Sequence, residues 1–528
     1  MGQLIHELIF DAAARTPAAP ALRHHGANHS YAALARDVAQ AGAALRALGA
    51  QRHDRVAVWL PTGIESVVAL FGAAAAGCAL VPVDPCCDAR LAAAQLADAG
   101  PRVLVTTSAR LADLGRAHGR WPQLRVVILC GEDGAATGGA LLVGWKEFMS
   151  LHAEPAVPAT VETDLAALLY TEGSPAGGGR PTGIALSHRN LVAAADSATR
   201  YLGIGPRDRL LAALPFSLDH GLNQLTSAFA AGALAVLTDA QAPQAIVRAV
   251  EREEITGLAG VPAMWAQLSG EDWSRAATLR YATSAGRALA TPLVAALRRA
   301  LPRTRIYLMY GFTEAFRSTC LAPEQLEHCP ESIGKPAPGA EVLVLRPDGR
   351  RCAPGEAGEL VQRGPMVALG YWNDPKRTAA RFRALPPRPG LSLPETAVWT
   401  GDTVRIDAEG YLYVVRRGDD SIRTGGFRVD PADVEQAVYD TGLVHEAAAV
   451  GVAHPVQGQV IAVLARPRAG CRLDSAIVFD ACQARLPAYM LPAMVDVRRA
   501  PLPRAADGLI DRALLAGELA PLFAEATS

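Results

Sequence analysis

The sequence predicts an α/β protein: a large N-terminal domain of doubly wound sheets with a β-rich subdomain, and a small C-terminal α+β domain. Three observations carry this. The chain has 528 residues, more than one hydrophobic core accommodates. Short apolar runs alternate with longer stretches of helical spacing as far as Tyr310, the pattern of parallel strands covered on both faces. From Glu341 the texture changes to short strands and turns, and a further compact unit begins after Arg416. The expected division is 1–417 and 418–528.

The elements follow in order. Arg55 to Leu60 predicts a strand, Ile64 to Ala76 a helix and Ala79 to Val83 a second strand. Further strands are expected at Leu165 to Tyr170, Ala233 to Thr238, Thr256 to Gly260 and Arg305 to Tyr310. The small-residue segment Gly131 to Ala140 predicts a surface loop. Glu341 to Arg346, Glu359 to Gln362, and the pair Val404 to Asp407 and Tyr411 to Val415 around Glu409-Gly410 predict the β-rich subdomain. The last unit carries helix, strand, strand and helix signals.

Composition narrows the function classes. Half the residues are hydrophobic and the net charge is -1, which gives no argument for a nucleic-acid partner. Residues 1–17 carry Glu7 and Asp11 and no basic stretch before an apolar core, so no secretory signal is expected there. The uncharged stretch from Ser66 up to Asp84 is interrupted by Gly72, Gly77 and Pro82 and predicts a buried helix and strand rather than an integral membrane segment. Nine scattered cysteines without Cys-x-x-Cys spacing suggest reduced thiols and a cytoplasmic location. Lysine occurs only at Lys146, Lys335 and Lys376, a bias towards arginine that drift in a GC-rich genome would produce.

Several motifs carry chemistry. Tyr310-Gly311-Phe312-Thr313-Glu314 follows an expected strand; alone it reads equally well as a strand-to-helix turn with Thr313 as cap and Glu314 in the first turn. Thr400-Gly401-Asp402 offers a carboxylate with two acceptor oxygens, and alone would be an ordinary turn. Upstream, Thr171 to Gly183 is glycine-rich and is flanked by the apolar Leu168-Leu169-Tyr170. Arg417, Asp419 and the stretch Ile422 to Val429 follow; the bland alternative for that stretch is a basic, solvent-exposed β-turn.

In this order the motifs resemble those of the acyl-CoA synthetase, luciferase and peptide-synthetase adenylation superfamily, over nearly the whole chain. Leu214 to Leu225, Tyr310 to Thr319 and Gly370-Tyr371-Trp372-Asn373-Asp374-Pro375 look most like the AMP-forming acyl-CoA ligases associated with bacterial exosortase systems. The resemblance implies that a small carboxylic acid is activated by ATP with Mg²⁺, then passed to coenzyme A or to an acyl carrier protein. It implies that Tyr310 stacks on adenine, Thr313 bonds the α-phosphate and Glu314 holds the metal. Gly311 would leave room for the acyl group, Phe312 would belong to the nucleotide site, and His220 would shape the acid pocket. Thr171, Gly173 and Ser174 would cradle phosphates, with Gly286 and Arg287 beside adenine. Asp402 and Arg417 would bind ribose. Asp419 would be the hinge on which the mobile small domain swings between an adenylating and a thioester-forming pose, the second bringing in Arg423, which stands where relatives usually have lysine.

Two departures bear on activity. Relatives carry a lysine at the end of the glycine-rich loop, where this chain has Thr182, and another near the C-terminus, where it has Leu509. The loop also holds three extra residues, Glu172, and Pro175, which removes a backbone donor. A carboxylate about 4 Å from phosphate would meet roughly 4 kcal/mol of repulsion per charge at an effective dielectric near 20. Losing one preorganised charge commonly costs about 2.7 to 4 kcal/mol of barrier. Arg180, Arg504 and Arg512 are the nearby cations that could substitute. Three readings stay open: an acyl-CoA ligase retaining at least thioesterification, a stand-alone adenylation enzyme loading a carrier protein, and a non-catalytic binding protein.

Overall fold

The structure, a computed structural model, describes residues 2–116, 121–131, 139–152, 159–171, 181–240, 242–285, 289, 291–386, 395–416, 422–425, 427–429, 431–454, 457–503, 510 and 512–524. Two large sheets and a β-rich unit form the N-terminal part, and a separate sheet with its own helices forms the C-terminal part, as the sequence predicts.

The nine-stranded sheet is built largely by alternating strands and helices. Arg209–Ala212, Leu234–Leu237, Gly257–Gly260, Tyr281–Ser284 and Arg305–Tyr310 are parallel members of it, linked through helices Asp219–Ala231, Pro243–Arg252, Pro262–Leu268 and Thr291–Ala300. Helices on both faces leave these strands almost wholly buried, so they read as continuous apolar runs and not as an alternation. Thr319–Leu321 then returns antiparallel on Arg305–Tyr310. That reversal places residues 311–318 at the carboxyl end of the last parallel strand, where open α/β sheets build their sites.

The eight-stranded sheet has Arg55–Trp59 between Ala79–Pro82 and Val103–Thr106, all parallel. Its helix Ile64–Ala75 crosses Tyr31–Ala47 at small residues. A Cβ on Gly72 would lie 2.6 Å from that of Ala41, so the two backbones approach as closely as glycine allows. Leu165–Thr171 and Thr182–Ser187 pair antiparallel with Thr171 opposite Thr182; the glycine-rich loop therefore springs from two fixed strand ends. Gly370–Tyr371 extends this sheet along Thr182–Ser187.

In the β-rich unit the strand expected at Val404 to Asp407 begins earlier and removes the turn alternative for Asp402. Thr396–Ile406 is a single 11-residue strand, and Thr400-Gly401-Asp402 lies in its middle, not in a turn. Burial of Ala397, Val398, Trp399 and Val404 holds it there. In the C-terminal unit Gly458–Pro467 lies beside Val444–His454 and Met494–Val497. Val434, Val438 and Val478 from two helices pack on one face and Leu515 and Leu519 on the other.

Candidate active site

After Tyr310 the chain passes Gly311 and Phe312 into a short 3₁₀ turn, Thr313–Ala315. Phe316 then takes φ +37° and ψ -52°, and the Arg317 amide donates to the Ala315 carbonyl at 2.5 Å. This is a γ-turn of the strained hand. It persists because the Phe316 ring is fully enclosed in the main core. A Cβ on Gly311 would meet the Phe316 carbonyl at 3.1 Å, so the glycine admits the turn. The turn sets half-buried Thr313 and buried Glu314 on one side of the strand end.

Glu314 is 4% exposed. Its Oε1 accepts from the Tyr371 hydroxyl at 2.7 Å, and its carbonyl accepts from the Ala368 amide. Burial, followed by the Glu314 charge, pushes the Tyr371 phenol up, so it remains a donor. The Arg377 guanidinium lies 4.3 Å from the centre of the Tyr371 ring and donates to Thr182 Oγ1 at 3.0 Å. A cation thus adjoins Thr182, the position at which the resemblance implies a lysine in relatives.

Asp402 is fixed from the neighbouring unit. Gly401, at φ +73°, supplies the kink, and its amide donates to Glu359 Oε1. Thr400 Oγ1 accepts from the Asp402 amide and donates to the Leu360 carbonyl. The Tyr310 hydroxyl then donates to Asp402 Oδ2 at 2.6 Å, joining residues from two different sheets. Arg423, on Ile422–Thr424, comes from the C-terminal unit. Burial lowers its pKa, opposed by the fields of Asp402, Tyr310 and Glu314. Its backbone amide is held by Gln459 Oε1.

The structure therefore brings together Tyr310, Gly311, Phe312, Thr313, Glu314, Asp402 and Arg423. Thr171 ends its strand, whereas Gly173, Ser174, Gly286, Arg287, Arg417 and Asp419, with Glu172, Arg180, Arg504 and Leu509, lie outside the described residues. Arg512 donates to Glu435 Oε1 at 2.7 Å within the C-terminal unit.

Behind Met309 a cavity of about 30 Å³ opens between the sheet and helices His188–Leu202 and Asp219–Ala231, and His220 and Arg317 line it. His220 Nδ1 is 2.6 Å from Arg317 Nη2. Because arginine can only donate, Nδ1 accepts and the ring is neutral with Nε2–H, 3.3 Å from Thr283 Oγ1. Burial and then Arg317 hold the imidazole well below its ordinary pKa, so it is no base near neutrality. Burial raises the Asp219 carboxyl against the pull of Arg317. Arg377 lies outside the motifs, and Tyr371 and Arg317 stand in stretches the sequence singled out without assigning them a role. The usable signal was an arginine in the buried run Ala315 to Thr319.

Comparison with known proteins shows the family. Residues 9–372 match the model of the AMP-binding enzyme family, and residues 433–508 that of the AMP-binding enzyme C-terminal domain. A feruloyl-CoA synthase from Amycolatopsis sp is 30% identical, covering 91% of this chain and 92% of its own. An L-proline–[L-prolyl-carrier protein] ligase from Pseudomonas fluorescens is 31% identical, covering 98% and 99%. A double mutant of o-succinylbenzoate CoA synthetase from Bacillus subtilis, bound to its product analogue, superposes with a TM-score of 0.79 at 25% identity over 96% and 97% of the chains. The same enzyme with its acyl-adenylate gives 0.67 at 26% identity. The chain belongs to the AMP-binding enzyme family of the adenylate-forming superfamily.

Proposed function

We propose that this protein is an AMP-forming acyl-CoA ligase: a carboxylate attacks the α-phosphorus of ATP, pyrophosphate leaves, and the CoA thiol displaces AMP from the acyl-adenylate. The observation that carries this is the convergence of Tyr310, Asp402, Glu314 and Arg423 from three separate units of the fold. The donor set fits its ligands. Asp402 is a rigid acceptor for ribose hydroxyls, held at backbone and side chain. Glu314 keeps Oε2 outside the Tyr371 bond, and a hard carboxylate oxygen suits Mg²⁺, which would neutralise phosphate charge when bound. Thr313 would donate its hydroxyl to the α-phosphate, and Gly173 and Ser174 of the loop would supply further donors there. Arg417 would hold ribose, Gly286 and Arg287 would flank adenine, and Asp419 would be the hinge.

Arg423 at the nucleotide residues supports assigning this arrangement to the thioester-forming pose, as does the higher TM-score to the product-analogue complex than to the acyl-adenylate complex of one enzyme. The acyl-CoA ligases of exosortase systems are the branch proposed here, on the stretches Leu214 to Leu225 and Tyr310 to Thr319. Transfer to a carrier protein is the second reading, favoured by the likeness to the prolyl-carrier ligase. ATP–pyrophosphate exchange over a panel of acids tests the first step. Acid-dependent exchange is expected; its absence, together with no heat of ATP–Mg²⁺ binding, would leave a binding protein without ligase activity.

A further inference from the structure

The cavity behind Met309 is walled mostly by apolar side chains, yet several buried polar side chains on those walls lack partners among the described residues. Arg317 is 6% exposed and carries five N–H donors. Nη2 is spent on His220 Nδ1 and on Asn223 Oδ1 at 2.9 Å. Nη1 reaches Met309 Sδ at 3.9 Å, a weak acceptor, and Nε has no partner among the described residues. On the same walls both amide atoms of Gln224 and the hydroxyl of Ser227 also lack partners among the described residues, though these side chains are 7% and 2% exposed. Buried donors are almost always satisfied, and a cluster of them around one cavity marks where a ligand's polar atoms go. The groups facing Arg317 are few. Asp219 acts on it directly, His220 is neutral, and burial keeps Tyr201 and Cys320 protonated, the thiol at about 12.

We propose that Arg317, with Gln224 and Ser227, selects the acid to be activated: a short carboxylic acid whose far end bears an oxygen acceptor, a second carboxylate or a carbonyl. The cavity holds about two water-sized groups, room for such an end and not for a long alkyl tail. This rests on the cavity being the acid pocket of the proposed ligase. Sites built to hydrogen-bond a substrate reject the analogue lacking that group far more strongly than apolar pockets reject a methylene.

The test is calorimetric binding of pentanoate, 4-oxopentanoate, glutarate and hexadecanoate, beside pyrophosphate exchange with each. At least one oxygenated acid is expected to bind roughly a hundredfold tighter than pentanoate, hexadecanoate not at all, and Arg317→Leu to erase the difference. If that variant does not fold, the wild-type order and Gln224→Leu decide. Pentanoate or hexadecanoate binding as tightly as the oxygenated acids, or no binding of either oxygenated acid, overturns the inference. Selective binding without exchange upholds it and overturns the ligase reading. Exchange with alkyl acids as good as with the oxygenated ones upholds the ligase and overturns the selection.

Discussion

Thr182 presents a hydroxyl where the resemblance implies a lysine, and the Arg377 guanidinium bonds that hydroxyl while stacked on the ring whose phenol holds Glu314. Arginine is a strong partner for phosphate because its planar donors match two oxygens at once. Arg377 is exposed, so its contribution is reduced by solvent. Arg377→Ala is expected to weaken ATP–Mg²⁺ binding by about tenfold, or about 1.4 kcal/mol, without unfolding the protein; unchanged affinity in a titration would remove it from the phosphate site. Thr182→Lys returns the lost charge and should tighten ATP in the same titration. Glu314 and Asp402 were legible in the sequence because each stands in a short contiguous motif. Arg377 and Arg317 were not, since they reach their partners across 195 and 97 positions, a relation that no local spacing encodes.

Among the elements, Val103–Thr106, Val126–Leu129, Leu141–Gly144, Arg209–Ala212 and Tyr281–Ser284 were not singled out, whereas the six parallel-sheet strands named from the sequence were legible to within a residue or two, because full burial on both faces demands an apolar run. Thr396–Ile406 was not: its glycine and acidic residue mimic a turn, while inter-strand pairing through Glu359 and Leu360 keeps it extended. The N-terminal helix Glu7–Arg15 gives an element-scale prediction. It docks through Ile5, whose amide donates to His188 Nδ1 at 3.2 Å, and His6 lies against the same ring. Burial lowers His188 to about 3 and His6 to about 4. Both folded values lie below the unfolded one near 6.5, so this stability is present above pH 6.5 and is lost as pH falls towards 4 and then 3. Each such histidine should remove up to about 1.4 kcal/mol per pH unit in that window. Thermal melts should fall accordingly, and His188→Asn should flatten the slope; a pH-independent melting temperature between 6.5 and 4 would refute this.

At the scale of the whole molecule, the proposed catalysis depends on what the C-terminal unit delivers. The division into a large α/β part and a small C-terminal part was legible from texture alone. The delivery of Arg423 to Tyr310, Glu314 and Asp402 was implied only by resemblance, because inter-domain docking leaves no periodicity in either segment. Asp419→Pro, by fixing φ at the proposed hinge, should slow CoA transfer in a stopped assay while ATP affinity holds. Leu509→Lys should raise acyl-adenylate formation by tenfold or more, equal to about 1.4 kcal/mol of barrier, if charge loss limits that step. The central claim is a ligase whose second half-reaction has outlasted the strength of its first. Its most direct test compares the two half-reactions on one purified sample, thioester formation from supplied acyl-AMP and CoA against acyl-AMP formation from ATP and the free acid. Relative to a related ligase carrying both lysines, the second step is expected near normal and the first lower by roughly a hundred- to thousandfold. Equal rates for both, or no thioester from supplied acyl-AMP, would contradict it.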